Sequence, residues 1–321
     1  MLKKHPKFII VGFPKSGTSF IRTNLSEHKN IWMPNFEPVH FSHDANANSL
    51  YRKEEDYTRI FKDIQDSDHI ITGEKSSNYA SSDIAIDKIY EYNKNIKIII
   101  SLRNPIDAVI SYHNHNIRMG YETIIDLEEA ILAQEKRSSS SYKIPYFAKQ
   151  EKNRFQYFAL FSYPTKIKMF LKKFGKQNVK IIFLDDIIEN QQKTMDDIFE
   201  FLGVHSIIKK RSAVNKTHAL IDHSKFKVKL FYIIHYAQRQ SNNMHSKNYL
   251  FNNIVVRLVL KCFFKLCCSL IRHPYDQATK IEPIKPNSNA YHLLFNHFNS
   301  EIDELSIILN KDLSHWKNND L

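Results

Sequence analysis

Residues 8–19, FIIVGFPKSGTS, constrain what this chain can fold into more than any other stretch. An apolar run from Phe8 to Val11 stops at Gly12, a small turn-rich loop carries Lys15, and a helical pattern starts near Thr18. That order predicts a strand, an anion-holding loop and a helix N-terminus, where backbone N–H groups lack intrahelical partners and the helix dipole favours negative charge. The spacing Gly12-x4-Gly17 matches a nucleotide phosphate loop, but Thr18 stands where such a loop carries its lysine, and the lysine has moved inside as Lys15. In triphosphate-binding enzymes that lysine reaches the outer phosphates and the next hydroxyl holds Mg²⁺. Moving it suits a different anion, one that ends just beyond a single 5′-phosphate.

A second element appears at Ile98–His115, IIISLRNPIDAVISYHNH. A buried-type strand over Ile96–Leu102 runs into Arg103, Asn104 and Pro105, and proline suits the first turn of the helix that follows. Arg103 stands at the C-terminal end of the strand and Ser111 about two turns into the helix; a guanidinium fork with a hydroxyl is suitable chemistry for a terminal phosphate. Taken together, the PKSGTS loop resembles the 5′-phosphosulfate loop of sulfotransferases that use 3′-phosphoadenosine 5′-phosphosulfate (PAPS). The second element is similar to that family's 3′-phosphate segment, RNPxDxxxSxY, with Arg103, Asn104, Pro105, Asp107, Ser111 and Tyr112 matching. Glu74–Tyr79, EKSSNY, looks like the EKSPxY segment of the glycan sulfotransferases. Residues 309–316, LNKDLSHW, resemble the LGRDLSHW ending of many bacterial members, and Asp185–Gly203 also fits a family pattern. Residues 205–285 match poorly.

The resemblance implies a set of roles. Lys15, Ser16, Gly17, Thr18 and Ser19 would bind the 5′-phosphate, with Lys15 also facing the leaving group, and Arg103 and Ser111 would bind the 3′-phosphate. Lys75 would face the transferring sulfonate or the acceptor. The base is left among three residues. Glu37 fits the glutamate of the family's E-x-H-F-F-like segment if one residue is inserted before His40; His40 is the second candidate and Glu74 the third. PAPS would be the sulfuryl donor, with no metal required, and the acceptor would be a hydroxyl or amine, most naturally on a glycan or glycoconjugate. His113 and His115 sit two apart on a helix and point in nearly opposite directions, so they do not form one metal site.

Composition bounds the rest. The chain has 321 residues and a formal net charge of +12, which suits an acidic cofactor, an acidic glycan, nucleic acid or an anionic membrane without choosing among them. No aromatic–basic RNA signature is present, and no nucleic-acid partner is expected. Three cysteines, Cys262, Cys267 and Cys268, are too few and too local for a disulfide framework, which predicts a reducing compartment. The chain enters its first strand almost at once, so no leader is expected and a cytoplasmic location follows. Tyr249–Arg272 carries Arg257, Lys261 and Lys265 at four-residue intervals; it reads as a core or lid helix, with peripheral contact to an inner membrane face as the alternative.

Strand-like runs at Phe8–Val11, Ile70–Gly73, Ile96–Leu102 and Val179–Leu184 alternate with helical patterns at 18–28, 54–64, 83–92, 105–118 and 126–137. This alternation predicts one α/β domain over residues 1–321: a P-loop-type parallel sheet with helices on both faces, and a helical lid or insertion at about 205–285. Ligands in such sheets bind beyond the carboxyl ends of the strands, where both phosphate motifs lie. Two rival functions remain at this level, a P-loop kinase of a small molecule and a basic nucleic-acid or membrane-surface binder. The oligomeric state is not readable from the sequence.

Overall fold

The central strand forms from the most apolar run. In the computed structural model, which describes residues 5–42, 51, 53–62, 71–118, 121–139, 152–206 and 285–317, β1 covers Phe8–Gly12 and every one of its residues is buried. The other strands are β2 (Ile31–Trp32), β3 (Ile71–Lys75), β4 (Lys97–Leu102) and β5 (Val179–Phe183), in the order β2-β3-β1-β4-β5. All neighbouring pairs are parallel. The four predicted strands are present, and the short β2 is an addition that two residues of apolar sequence could not announce. The strand expected at Ile70–Gly73 starts one residue later and ends two later, so that Glu74 and Lys75 belong to the strand itself rather than to the loop after it.

Helices connect the strands: α1 (Thr18–Ser26), α2 (Glu54–Arg59), α3 (Asp83–Tyr92), α4 (Pro105–Arg118), α5 (Leu127–Ser138), α6 (Tyr157–Phe161), α7 (Tyr163–Phe174), α8 (Leu184–Glu189), α9 (Gln191–Leu202) and α10 (Ser288–Leu309). Their ends follow local chemistry. Ser82 caps α3 by accepting from Ala85 N at 3.1 Å, and Asn190 caps α9 by accepting from Lys193 N at 3.0 Å, each worth about 1 kcal/mol. Gly203, at φ 78°, ends α9 in a left-handed turn with Val204 N bonded to Phe199 O. Helix α1 stops two residues earlier than its apolar pattern suggests because the N–H groups of Glu27 and His28 bond three residues back, tightening the last turn.

Both faces of the sheet are covered, as the unbroken apolar strands require. On one face Phe8, Ile10, Ile99 and Ile182 meet Ile21 and Leu25 of α1 and Ile198, Phe199 and Leu202 of α9. The alternate residues Ile9, Ile98 and Ile100 point the other way and are equally buried. Helix α7 packs on β5 and against α3.

The described residues fall into two compact units. One lies within Met1–Val109, Arg137–Lys216 and Tyr291–Leu321, and holds the sheet; the other lies within Ile110–Lys136 and Thr217–Ala290. In the second, His113 Nε2 lies 3.0 Å from Ile124 O, and Glu122 Oε1 accepts from Thr123 N and Ile124 N at 2.7 and 2.8 Å. Nearly all of the expected helical insertion, with its three cysteines and basic stripe, lies outside the described residues. Among the described residues no helix is long and apolar enough to cross a membrane.

Candidate active site

Three strands meet at the phosphate loop. Strand β1 ends at Gly12, which has φ 114°, and a Cβ there would lie 2.1 Å from the carbonyl oxygen of Ser77. Only glycine fits this approach. It arises because β1 and β3 are neighbours with Ile10 opposite Lys75, and Ser76 N continues the ladder to Ile10 O at 3.0 Å. From the other side β4 holds the loop: Phe13 N donates to Ser101 O at 3.0 Å, and the Ser101 hydroxyl donates to Ser16 O.

Within the loop the Ser16 hydroxyl donates to Phe13 O and is fully buried, so Ser16 shapes the loop with its side chain and offers a ligand its backbone. Lys15 is half-buried and adopts φ 64°, a left-handed conformation that costs a side-chain-bearing residue about 1–2 kcal/mol. Gly17, at φ 88°, precedes α1, and no side chain caps that helix. Its first turn therefore has no side-chain cap, the arrangement that suits an anion at a helix start. Thr18 is buried and Ser19 exposed.

Glu37 and Lys75, far apart in sequence, form an ion pair through Oε1 and Nζ. The other carboxylate oxygen of Glu37 accepts from Ser77 N and Ser77 Oγ, each at 2.9 Å. Burial pushes the Glu37 carboxyl up, but the charge of Lys75 and the bonds from Lys75 and Ser77 outweigh it and hold the group below the usual carboxylate value. Glu37 is thus ionised at neutral pH. Its side chain keeps about a third of its surface exposed, whereas that of Lys75 keeps 6%. Ser77 links the two halves of the site, since its carbonyl abuts Gly12 while its N–H and hydroxyl hold Glu37.

The two other base candidates are placed differently. His40 stacks flat on Tyr57 with ring centroids 4.2 Å apart, and its Nδ1 contacts the carbonyl of Tyr51. Burial lowers its pKa, so it is neutral at physiological pH. Glu74 is fully buried and its oxygens accept from Tyr57 Oη at 2.8 Å, Ser76 Oγ at 3.0 Å and Tyr79 Oη at 3.2 Å. Burial raises its pKa to about 7 despite those three donors. With no exposed surface, Glu74 does not present a lone pair to an acceptor.

Arg103 follows β4 directly and lies 3.7 Å from Asp107. Asn104 caps α4, accepting from Ile106 N at 3.0 Å, and donates through Nδ2 to Trp316 O at 2.9 Å. Ser111 lies further along α4, in the second unit, and is half-buried. The C-terminal LNKDLSHW stretch docks on the residues after β5: Trp316 Nε1 donates to Asp185 at 2.7 Å, and Lys311 reaches Asp186 at 2.9 Å. Sequence reasoning noted both stretches separately but not their pairing. It covered Ser77 within EKSSNY and Ser101 within the second motif but assigned neither a role, since a hydroxyl near a strand end carries little signal by itself.

A parallel sheet that delivers a glycine-bounded loop and an uncapped helix to the end of its central strand gives the chain a P-loop-type α/β fold. Residues 5–254 match the family model described as the sulfotransferase domain. The chain belongs to that family. It is similar to the crystal structure of a sulfotransferase from Alicyclobacillus acidocaldarius, with a TM-score of 0.65 at 20% identity over 98% of this chain and 100% of that one. It is also 29% identical over 122 residues to the membrane-associated sulfotransferase kil1 of Dictyostelium discoideum, a match that covers 35% of this chain and only 23% of that protein.

Proposed function

We propose that this protein transfers a sulfuryl group from PAPS to an acceptor hydroxyl or amine carried by a glycan or glycoconjugate. The observation that carries the reading is the double role of Ser77, which sets the Glu37–Lys75 pair directly against the phosphate loop at Gly12. The residues present fit the donor. The open first turn of α1 suits a 5′-phosphate, Lys15 suits the oxygen that departs from sulfur, and Arg103 suits the 3′-phosphate. PAPS would supply the activated sulfuryl group. Glu37 accepts the acceptor's proton as the acceptor oxygen bonds to sulfur, Lys15 faces the charge left on the 5′-phosphate as the sulfur–oxygen bond breaks, and 3′,5′-diphosphoadenosine remains.

On the acceptor side, a cavity of about 670 Å³ opens beside Phe36, the residue before Glu37. Trp32, Phe36 and Tyr51 line it together with the Asp56–Arg59 ion pair. Aromatic faces with a few convergent polar groups suit a sugar ring, whose apolar face stacks while its hydroxyls bond the charged pair.

The test has two stages. Calorimetry should detect 3′,5′-diphosphoadenosine, and a thermal shift with that nucleotide should exceed the shift with ATP–Mg²⁺; the reverse order would favour a kinase. Labelled sulfate from PAPS, offered to a cell extract, should then enter a glycan-containing product identified by mass spectrometry. Label found only in non-carbohydrate products would overturn the acceptor class while leaving the donor intact.

A further inference from the structure

Glu74 is a fully buried carboxyl that the transfer step does not use. Its three bonds come from hydroxyls, and two of those hydroxyls hold something else. Ser76 Oγ also accepts from Val39 N at 3.0 Å, and Tyr79 Oη accepts from His40 N at 2.7 Å and Phe41 N at 3.3 Å. The third donor, Tyr57, stacks on the His40 ring. The backbone held this way is strained: Val39 sits at φ 51°, a left-handed conformation that a β-branched residue adopts only when its surroundings impose it. Glu37 lies two residues upstream on the same segment.

We propose that Glu74 is a positioning residue which, through the hydroxyls of Ser76 and Tyr79, fixes residues 39–41 and so sets Glu37 for proton transfer. The proposal rests on the reading of Glu37 as the base. The groups facing Glu74 are Tyr57 from α2, Tyr92 from α3, Tyr79 and Ser76 from the turn after β3, and Glu37 across the segment. An ionised Glu74 accepts from every hydroxyl and leaves their lone pairs to the amides of residues 39–41. A protonated Glu74 can donate to the Tyr57 oxygen, but as a neutral group it accepts more weakly, so the bonds from Ser76 and Tyr79 lose their charge assistance. Protonation therefore loosens the grip. With its pKa at about 7, Glu74 makes that change near neutral pH.

Amide hydrogen exchange of the full chain with 3′,5′-diphosphoadenosine present tests this without needing the acceptor. After correction for intrinsic exchange, protection of amides 39–41 in the parent should rise about tenfold from pH 6 to pH 8, while that of β5 should not rise. Glu74→Gln should abolish that rise, and Tyr79→Phe should lower protection of residues 40 and 41 about tenfold at pH 8. Tyr57→Phe, which removes a donor but no link to the segment, should keep the protection at pH 8 and move the step to higher pH. Transfer of sulfur label from PAPS to the extract should slow at least tenfold in Glu74→Gln and Tyr79→Phe, with diphosphoadenosine affinity within twofold of the parent. A parent with no pH step, a Glu74→Gln variant with unaltered protection, or a Tyr57→Phe variant as damaged as Tyr79→Phe would overturn the proposal. If Glu74→Gln does not fold, the parent's pH step and the two tyrosine variants decide it. Absence of diphosphoadenosine binding would instead remove the donor reading, and the exchange results would stand by themselves.

Discussion

Lys15 occupies a left-handed backbone position that its side chain disfavours, and such strain persists where the surroundings and the chemistry impose it. In the proposed reaction its charge faces an oxygen that becomes fully anionic only as sulfur departs. Lys15→Ala should therefore reduce turnover by roughly 10²–10³-fold while the melting curve stays near the parent's; near-normal turnover would remove Lys15 from the step. In the proposed reading Arg103 binds a phosphate remote from sulfur, so Arg103→Ala should weaken diphosphoadenosine binding by about 1.5–3 kcal/mol, read by calorimetry. Glu37→Gln keeps the shape of the side chain but loses its charge and its basic lone pairs. It should retain nucleotide affinity and lower turnover by roughly 10²–10⁴-fold. A dead His40→Ala beside an active Glu37→Gln would transfer the base role to His40, although stacking on Tyr57 argues against that outcome.

At the scale of elements, the site is an assembly of strand ends. Strands β3, β1 and β4 stand side by side, so the EKSS segment, the phosphate loop and Arg103 emerge at one edge of the sheet. The C-terminal segment locks that edge from outside. Trp316 is 2% exposed; its indole donates to Asp185 after β5, and its carbonyl accepts from Asn104, the neighbour of Arg103. Trp316→Ala should cost about 3–5 kcal/mol of stability in a denaturant melt. It should also weaken diphosphoadenosine binding, because without the indole the segment is no longer anchored on Asp185 and its carbonyl at 316 no longer holds Asn104 at the start of α4. A variant destabilised to that extent but with parental nucleotide affinity would show that the C-terminal segment braces the fold alone.

For the whole molecule, the buried carboxyl makes stability depend on pH. The Glu74 pKa rises from 4.5 unfolded to about 7 folded, so the folded state holds the proton more tightly. Stability is greatest below pH 4.5, falls as pH rises toward 7 and is level above it. At about 1.4 kcal/mol per unit the fall is about 3 kcal/mol. Glu74→Gln has no proton to release, so its stability relative to the parent should improve by that amount between pH 4.5 and pH 8 in paired denaturant melts; parallel curves would show that Glu74 does not titrate there. The phosphate loop, the two motif strands and the helix starts were legible in the sequence because each depends on local pattern: an apolar run, a glycine, a capping side chain. The Glu37–Lys75 pair was not legible. The two residues are 38 positions apart, and they meet only because β3 lies next to β1 in one register, a shift of which would turn Lys75 to the other face. Nor could the sequence choose between Glu37 and Glu74, since the same carboxyl is an ionised, half-exposed group in one place and a sealed clamp in the other. By itself the sequence determined the class of fold, the family and the anion loop, because those rest on nearest-neighbour chemistry. Tertiary structure alone decided which carboxylate faces the loop and which is buried behind it, because burial and strand order are properties of the folded packing.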